Sequence, residues 1–194
     1  MSLVTWYAAE ALVEAAKARL HPVPVVLDIG IGIRPQSIVR CQLHIGIEPY
    51  APYIARLRAA CPDMPQHVLL QGMWDQVMPH FPDQSVDTVV AGDVLEHLEK
   101  PDGRRFLQEA ERLARQQIVV FTPLGFHAQP FHPEDPTDRW GMQGGYWQAH
   151  RSGWMPDEFD DHWTCLCCEA YHFEDEHNQP LEKGFGAFYA IFTK

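Results

Sequence analysis

Residues 24–34 read PVVLDIGIGIR, and the fold turns on this stretch. PVVLDI at 24–29 is a short continuous apolar run, the pattern of a strand buried on both faces of a parallel sheet. It leads directly into Gly30 and Gly32, which permit a tight turn and let a ligand approach the backbone. Asp28, at the carboxyl end of the strand, can accept hydrogen bonds from an ammonium group, directly or through water. A second apolar run, LHIGI at 43–47, ends at Glu48, 20 residues after Asp28. A carboxylate there is placed to take both hydroxyls of a ribose. Together the glycine turn and the carboxylate point to a nucleoside-containing ligand. A dinucleotide site normally has a third glycine near position 35 to seat a pyrophosphate. Here that position is Pro35, preceded by Arg34.

Working outward, strands alternate with helices. Residues 5–20 have the period of an amphipathic helix, with Thr5 as a possible cap. YIARLRAAC at 53–61 predicts a second helix, HVLLQ at 67–71 a third strand, and VDTVVAG at 86–92 a fourth, entered through PDQS at 82–85. RRFLQEAERLAR at 104–115 places Phe106, Leu107, Ala110 and Leu113 at helical spacing. QIVVFT at 117–122 is a fifth strand, stopped by Pro123. This alternation predicts a parallel sheet with right-handed crossovers. Residues 124–153 are rich in Gly, Pro, His and Trp without a period, as expected of a functional loop or lid. Pro156 suits the first position of a short helix over 156–163. TCLCCEAYHFE at 164–174 and FGAFYAIFTK at 185–194 alternate like strands across a polar loop containing Asn178, Pro180 and Gly184, so the chain ends in an antiparallel pair.

The bulk properties narrow the function. The chain has 194 residues, 46% hydrophobic and 21% charged, which suggests one domain with a real core. Its formal net charge is −11, and no run of Lys or Arg exceeds two residues. Affinity for a phosphate backbone comes mainly from neutralising cations, so nucleic acid is not an expected partner. No apolar stretch approaches the roughly 20 residues of a membrane span. Glu10 and Glu14 interrupt the N-terminal segment, which therefore is not a signal peptide. Five cysteines, an odd number without framework spacing, fit a reducing cytoplasm.

The fourth strand leads into Asp93-Val94-Leu95-Glu96-His97-Leu98. With this motif, LDIGIG at 27–32, Glu48, SVDTVVAGDVLEHL at 85–98 and VVFTP at 119–123, the chain resembles the class I S-adenosylmethionine-dependent methyltransferases. The small type 11/12-like members are the most similar, over roughly residues 23–123. The resemblance implies an α/β Rossmann-like sheet of seven mostly parallel strands, helices on both faces and a last strand inserted antiparallel. It divides a single domain, 1–194, into an N-terminal helix (1–22), a cofactor core (23–123), an acceptor loop or lid (124–155), and a helix with the terminal strand pair (156–194). It implies S-adenosylmethionine as cofactor, with Asp28 near its amino acid end and Gly30 and Gly32 against it. Glu48 would take the ribose hydroxyls and Pro49 the adenine, with Gly72, Met73 and Trp74 lining the adenine and Asp93 near the transferred methyl. Two positions depart from the family: the third glycine of its loop is Arg34, and the acidic residue after the third strand is Met73. The implied reaction is methyl transfer to O, N or C of a small-molecule acceptor. Such an in-line displacement draws mainly on alignment and a dry site, with a general base for a hydroxyl or protonated amine.

Acceptor residues in this fold come from loops at the carboxyl edge of the sheet. The candidates are His132, Trp140, Tyr146, Trp147, His150 and Arg151, with Asp93, His97 and His127 as catalytic candidates. A histidine can serve as base, since its unperturbed pKa is about 6.5. The aromatic residues could instead pack the loop down, and Arg151 could be a surface charge rather than a partner for an anion. On a helix, Asp93, Glu96 and His97 would share one face. With a distant histidine such as His127 they could hold a divalent ion; helix capping and cofactor support is the competing role, and no metal site is assigned. His162, Cys165, Cys167, Cys168, His172 and His177 lack the paired CxxC spacing of a zinc ribbon and read as ordinary strand residues. Two rival functions remain: a catalytically silent cofactor-binding protein, prompted by Arg34 and Met73, and a nicotinamide-dependent oxidoreductase, opposed by Pro35 and the terminal strand pair.

Overall fold

The computed structural model describes residues 2–175 and 177–194. The elements run β1 (Leu3–Trp6), α1 (Ala9–Lys17), β2 (Val23–Ile29), β3 (Cys41–Glu48), α2 (Ala51–Ala60), β4 (His67–Gln71) and α3 (Trp74–Val77). They continue with β5 (Val86–Gly92), α4 (Lys100–Leu113), β6 (Ala114–Pro123), α5 (Gly145–Gln148), β7 (Trp163–Glu174) and β8 (Pro180–Thr193). One sheet holds the strands in the order β1-β7-β8-β6-β5-β2-β3-β4. Strands β2 to β6 pair in parallel. β8 enters antiparallel between β6 and β7, with Val119 opposite Ile191 and Leu166 opposite Tyr189.

Alternation sends neighbouring side chains to opposite faces, and each face has its own core. On one face, Leu27, Ile29, Val89 and Ile118 pack against Phe106, Ala110 and Leu113 of α4. On the other, Val26, Val90, Val119, Leu166 and Tyr189 pack against Leu12 and Ala16 of α1. From β2 the chain moves outward through β3 to β4, then returns to β2's other side at β5. The order of strand addition therefore reverses between β2 and β5, which run parallel. A crevice opens at such a point, outside the carboxyl ends of the strands.

Several expectations need correction. The sheet has eight strands, not seven, because the segment expected to begin a helix at Thr5 starts with β1. Thr5 pairs with Leu166 of β7, and the helix begins at Ala9 without a side-chain cap. The expected helix over 156–163 is one 3-10 turn, Pro156–Glu158. The DVLEHL segment is not an α-helix either: Leu95–His97 form a 3-10 turn, and Asp93 precedes it at φ +53°. Among the described residues, no helix is long and apolar enough to cross a membrane.

Candidate active site

The glycine turn and Glu48 form one hydrogen-bonded unit. Gly30 has φ +67°, and a Cβ there would lie 2.7 Å from Val94 Cγ2, so both backbone and space demand glycine. The N–H groups of Gly30 and Ile31 donate to the Ile47 carbonyl at 2.9 and 3.2 Å. Gly32 N–H donates to Glu48 Oε2 and Tyr50 N–H to Glu48 Oε1, both at 2.9 Å. A carboxylate offers about four acceptor sites, so two bonds leave it able to accept from a diol. Glu48 is 4% exposed. Burial raises its pKa to about 6, against the opposing pull of the Tyr50 and Gly32 hydrogen bonds.

Asp28 anchors the next turn of the loop. Its Oδ2 accepts from Gln36 N–H at 3.1 Å and from His44 Nε2 at 2.8 Å. The Gln36 side chain accepts from the N–H groups of Ile38 and Val39 and donates to the Val39 carbonyl. Gln36 thus braces the loop, and Arg34 is not among the residues with positive φ. No third glycine is required at that position.

A cavity of about 650 Å³ lies over this unit, within the range of small-molecule sites. Of the expected cofactor residues, Asp28, Gly30, Gly32, Glu48, Pro49, Met73, Trp74 and Asp93 line it, whereas Gly72 does not. Trp74 is nearly buried and sets its ring edge-on to Phe106, so it shows the cavity only a margin. Trp140, Tyr146, Trp147 and Arg151 reach in from the loop after β6.

A second cavity, of about 620 Å³, adjoins the first. The two share Asp93, His97, Trp140 and Gln148. Asp93 stands at their junction in the left-handed backbone region, its N–H bonded to the Phe121 carbonyl at 2.9 Å. A non-glycine residue there is uncommon, and Asp is one of the few types that accept it readily. Loss of water raises the Asp93 pKa to about 6, while a hydrogen bond from Glu96 and the charge of Arg139 pull it down. Glu96, 2% exposed, is raised well above its ordinary value by burial and then by the Asp93 charge. Thr122 Oγ1 donates to Glu96 Oε2 at 2.9 Å.

A protein-family profile described as a methyltransferase domain matches residues 27–121. Over these residues, just under half of the chain, the sequence is similar to that methyltransferase domain. No curated protein matches the chain in sequence. Solved structures share the fold. The YcgJ protein of Bacillus subtilis superposes with TM-score 0.60 at 14% identity, covering 94% of this chain and 95% of its own. An S-adenosylmethionine-dependent methyltransferase from Archaeoglobus fulgidus gives 0.56 at 14% identity, covering 96% of each chain. A structure of DhpI in complex with SAH gives 0.56 at 17% identity, covering 94% of this chain and 82% of that one. The nicotinamide reading is thereby set aside. The methyltransferase domain's cofactor is S-adenosylmethionine, and the first cavity suits it: a glycine floor, a buried carboxylate and enough volume for a nucleoside with an amino acid tail.

The candidate residues of the loop after β6 are dispersed. His132 is exposed, 3.5 Å from Glu134, and lines neither cavity. His127 lines the second cavity, stacks on Phe185 with ring centroids 3.8 Å apart and donates through Nε2 to the Leu124 carbonyl. His97 lines both cavities, but burial, then His150 and Arg151, lower its pKa to about 3. A base that weak carries no proton-abstracting role at neutral pH. Arg151 does not offer its guanidinium to an anion: it donates to the carbonyls of His97 (2.7 Å), Ala149 (3.1 Å) and Tyr146 (2.8 Å). It is a clamp that ties the loop to the Leu95–His97 turn. Arg139, Glu169, Glu174 and Lys183 of the second cavity carried no signal in the sequence, and His172, expected to be an ordinary strand residue, lines it too; most come from the terminal strand pair and its connection.

Proposed function

We propose that the protein methylates an oxygen or nitrogen of a small molecule held in the second cavity, next to the cofactor in the first. The junction of the two cavities at Asp93 carries this reading. When bound, the cofactor supplies an electrophilic methyl carbon on a sulfonium. Glu48 accepts hydrogen bonds from the ribose hydroxyls, and the Gly30–Gly32 turn lies against the nucleoside. Trp140, Tyr146 and Trp147 roof the cleft and limit water, which strengthens every charge inside it. Asp93 is placed to accept the proton that the acceptor loses. In this reading residues 1–194 work as one unit, with 23–123 holding the cofactor and 124–155 shaping the acceptor site.

Charge supports a small acceptor. Besides the buried Glu96, the second cavity is lined by the carboxylates of Asp93, Glu169, Glu174 and Asp175 against only Arg139 and Lys183. Arg139 is already 3.6 Å from Glu174. Such a wall repels a phosphate backbone and favours a neutral or cationic acceptor. The test is SAH release from S-adenosylmethionine across a panel of alcohols, phenols and amines, with RNA oligonucleotides in parallel. Turnover with a small acceptor is expected. Turnover on RNA alone overturns the acceptor class, and no turnover on any panel member favours a silent cofactor-binding protein.

A further inference from the structure

We propose that Glu96, His97 and His150 form a binding site for a divalent transition-metal ion. One ligand atom from each residue, a carboxylate oxygen and two ring nitrogens, lies within 4.8 Å of the others. All three residues line the second cavity. Glu96 and His97 come from the turn after β5, whereas His150 arrives from the loop 53 residues further along the chain.

The hydrogen bonds orient both rings for coordination. His97 Nδ1 bonds to the Ala149 carbonyl at 3.1 Å, and His150 Nδ1 to the His127 carbonyl at 2.7 Å. A carbonyl only accepts, so each Nδ1 carries the proton, and Nε2 is the nitrogen that would coordinate an ion. Metal-bound imidazoles are held by this outer arrangement, which fixes the tautomer and aims the ring. Thr122 does the same for the carboxylate by donating to Glu96 Oε2 at 2.9 Å. The two rings stand 5.1 Å apart, centroid to centroid, tilted by 53°.

The loop is tied to the turn at several points, so the three groups are held before any ion arrives. The N–H groups of Arg151 and Ser152 donate to the Glu96 carbonyl at 2.7 and 3.1 Å, and the Arg151 guanidinium grips the His97 carbonyl. Two imidazoles and one carboxylate suit Zn²⁺, Mn²⁺ or Fe²⁺ better than Mg²⁺ or Ca²⁺, which prefer oxygen throughout. Three protein ligands leave coordination positions open. An open position on the cavity side would take an oxygen of the acceptor; that step rests on the acceptor role proposed for the second cavity, whereas metal binding does not.

The test uses the purified full chain, stripped with a chelator and dialysed against Zn²⁺ or Mn²⁺, with Mg²⁺ in parallel. Bound metal is measured by mass spectrometry and Co²⁺ loading by its visible spectrum. One Zn²⁺ or Mn²⁺ ion per chain is expected, with the Co²⁺ bands of nitrogen ligation. His150→Ala and His97→Gln should each weaken binding at least about tenfold. His162→Ala, in the exposed group Asp160, Asp161 and His162, should leave it unchanged. Calorimetry with SAH on His150→Ala reports the fold and the cofactor site separately. If a variant unfolds, the wild-type Co²⁺ spectrum decides. Absence of stoichiometric metal in the wild type, Co²⁺ without nitrogen-ligand bands, or binding indifferent to both histidines would overturn the site. Loss of SAH binding by the wild type would instead strike the cofactor assignment and leave the metal result standing.

Discussion

Asp93→Asn lowers methyl-transfer turnover by about 10²–10⁴-fold, the usual worth of a general base, while SAH affinity changes little. The substitution isolates the charge. Asn is one of the few residues that accept the left-handed backbone, so φ +53° is retained. The N–H bond to the Phe121 carbonyl is a main-chain contact and also survives. What is lost is the carboxylate at the junction of the two cavities. The measurement is kcat at saturating cofactor and acceptor, with SAH calorimetry as the binding control. Turnover equal to the wild type removes Asp93 from proton transfer.

Trp154→Ala destabilises the protein by about 3–5 kcal/mol, as expected for truncating a fully buried aromatic side chain. Trp154 is 1% exposed. Its Nε1 donates to the Leu95 carbonyl at 3.1 Å and to Ser152 Oγ at 3.0 Å. Lys100 lies over the ring, 3.7 Å from its centroid. The ring also presses on α4 at Gly103, where any Cβ would collide with it. At this chain length the loss corresponds to a fall in Tm of about 6–20 °C. Trp154→Phe restores most of the volume and removes the indole donor, but the Leu95 carbonyl keeps Ser152 Oγ and Leu98 N–H as donors, so its cost is about 0.5–1.5 kcal/mol. Calorimetric melting of the two variants separates these contributions. A melting point for Trp154→Ala within error of the wild type would show that the strap over the Leu95–His97 turn contributes no stability. Leu95 opens the turn that carries Glu96 and His97, so the same substitution loosens both cavities.

The cofactor half of the site was legible because its signals are local. Asp28, Gly30, Gly32 and Glu48 follow apolar strands at short range, and a parallel sheet allows a strand end few other surroundings. Asp93 stood out through the DVLEHL motif, yet its backbone did not: helical spacing suggested one face for Asp93, Glu96 and His97, whereas a positive φ and a 3-10 turn set them differently. β1 was missed because LVTW has no period of its own; it is a strand only by pairing with β7, Leu3 opposite Thr164. The acceptor half depended on contacts at long separation. His127 and His150 are equivalent in sequence, and only the loop path puts His150 beside His97. Arg151 resembled an anion partner until three carbonyls claimed it. Ser152 and Trp154 follow it closely, and their bonds to the Leu95 carbonyl explain why that segment is a strap rather than a mobile lid.

The central claim is that the Gly30–Gly32 turn and Glu48 hold one adenosine-bearing molecule between them. Calorimetric titration of SAH into the wild type and Glu48→Ala, with NAD in parallel, tests it most directly. The expected result is one-to-one binding of SAH in preference to NAD, weakened by about 1–3 kcal/mol in the variant, or about 5- to 150-fold. At pH 5 the wild-type affinity should fall, because the Glu48 carboxyl titrates near 6 and a diol needs its ionised form; Glu48→Ala should lose that pH dependence. A dissociation constant unchanged by Glu48→Ala would mean that the ribose lies elsewhere, and NAD binding without SAH binding would contradict the cofactor itself.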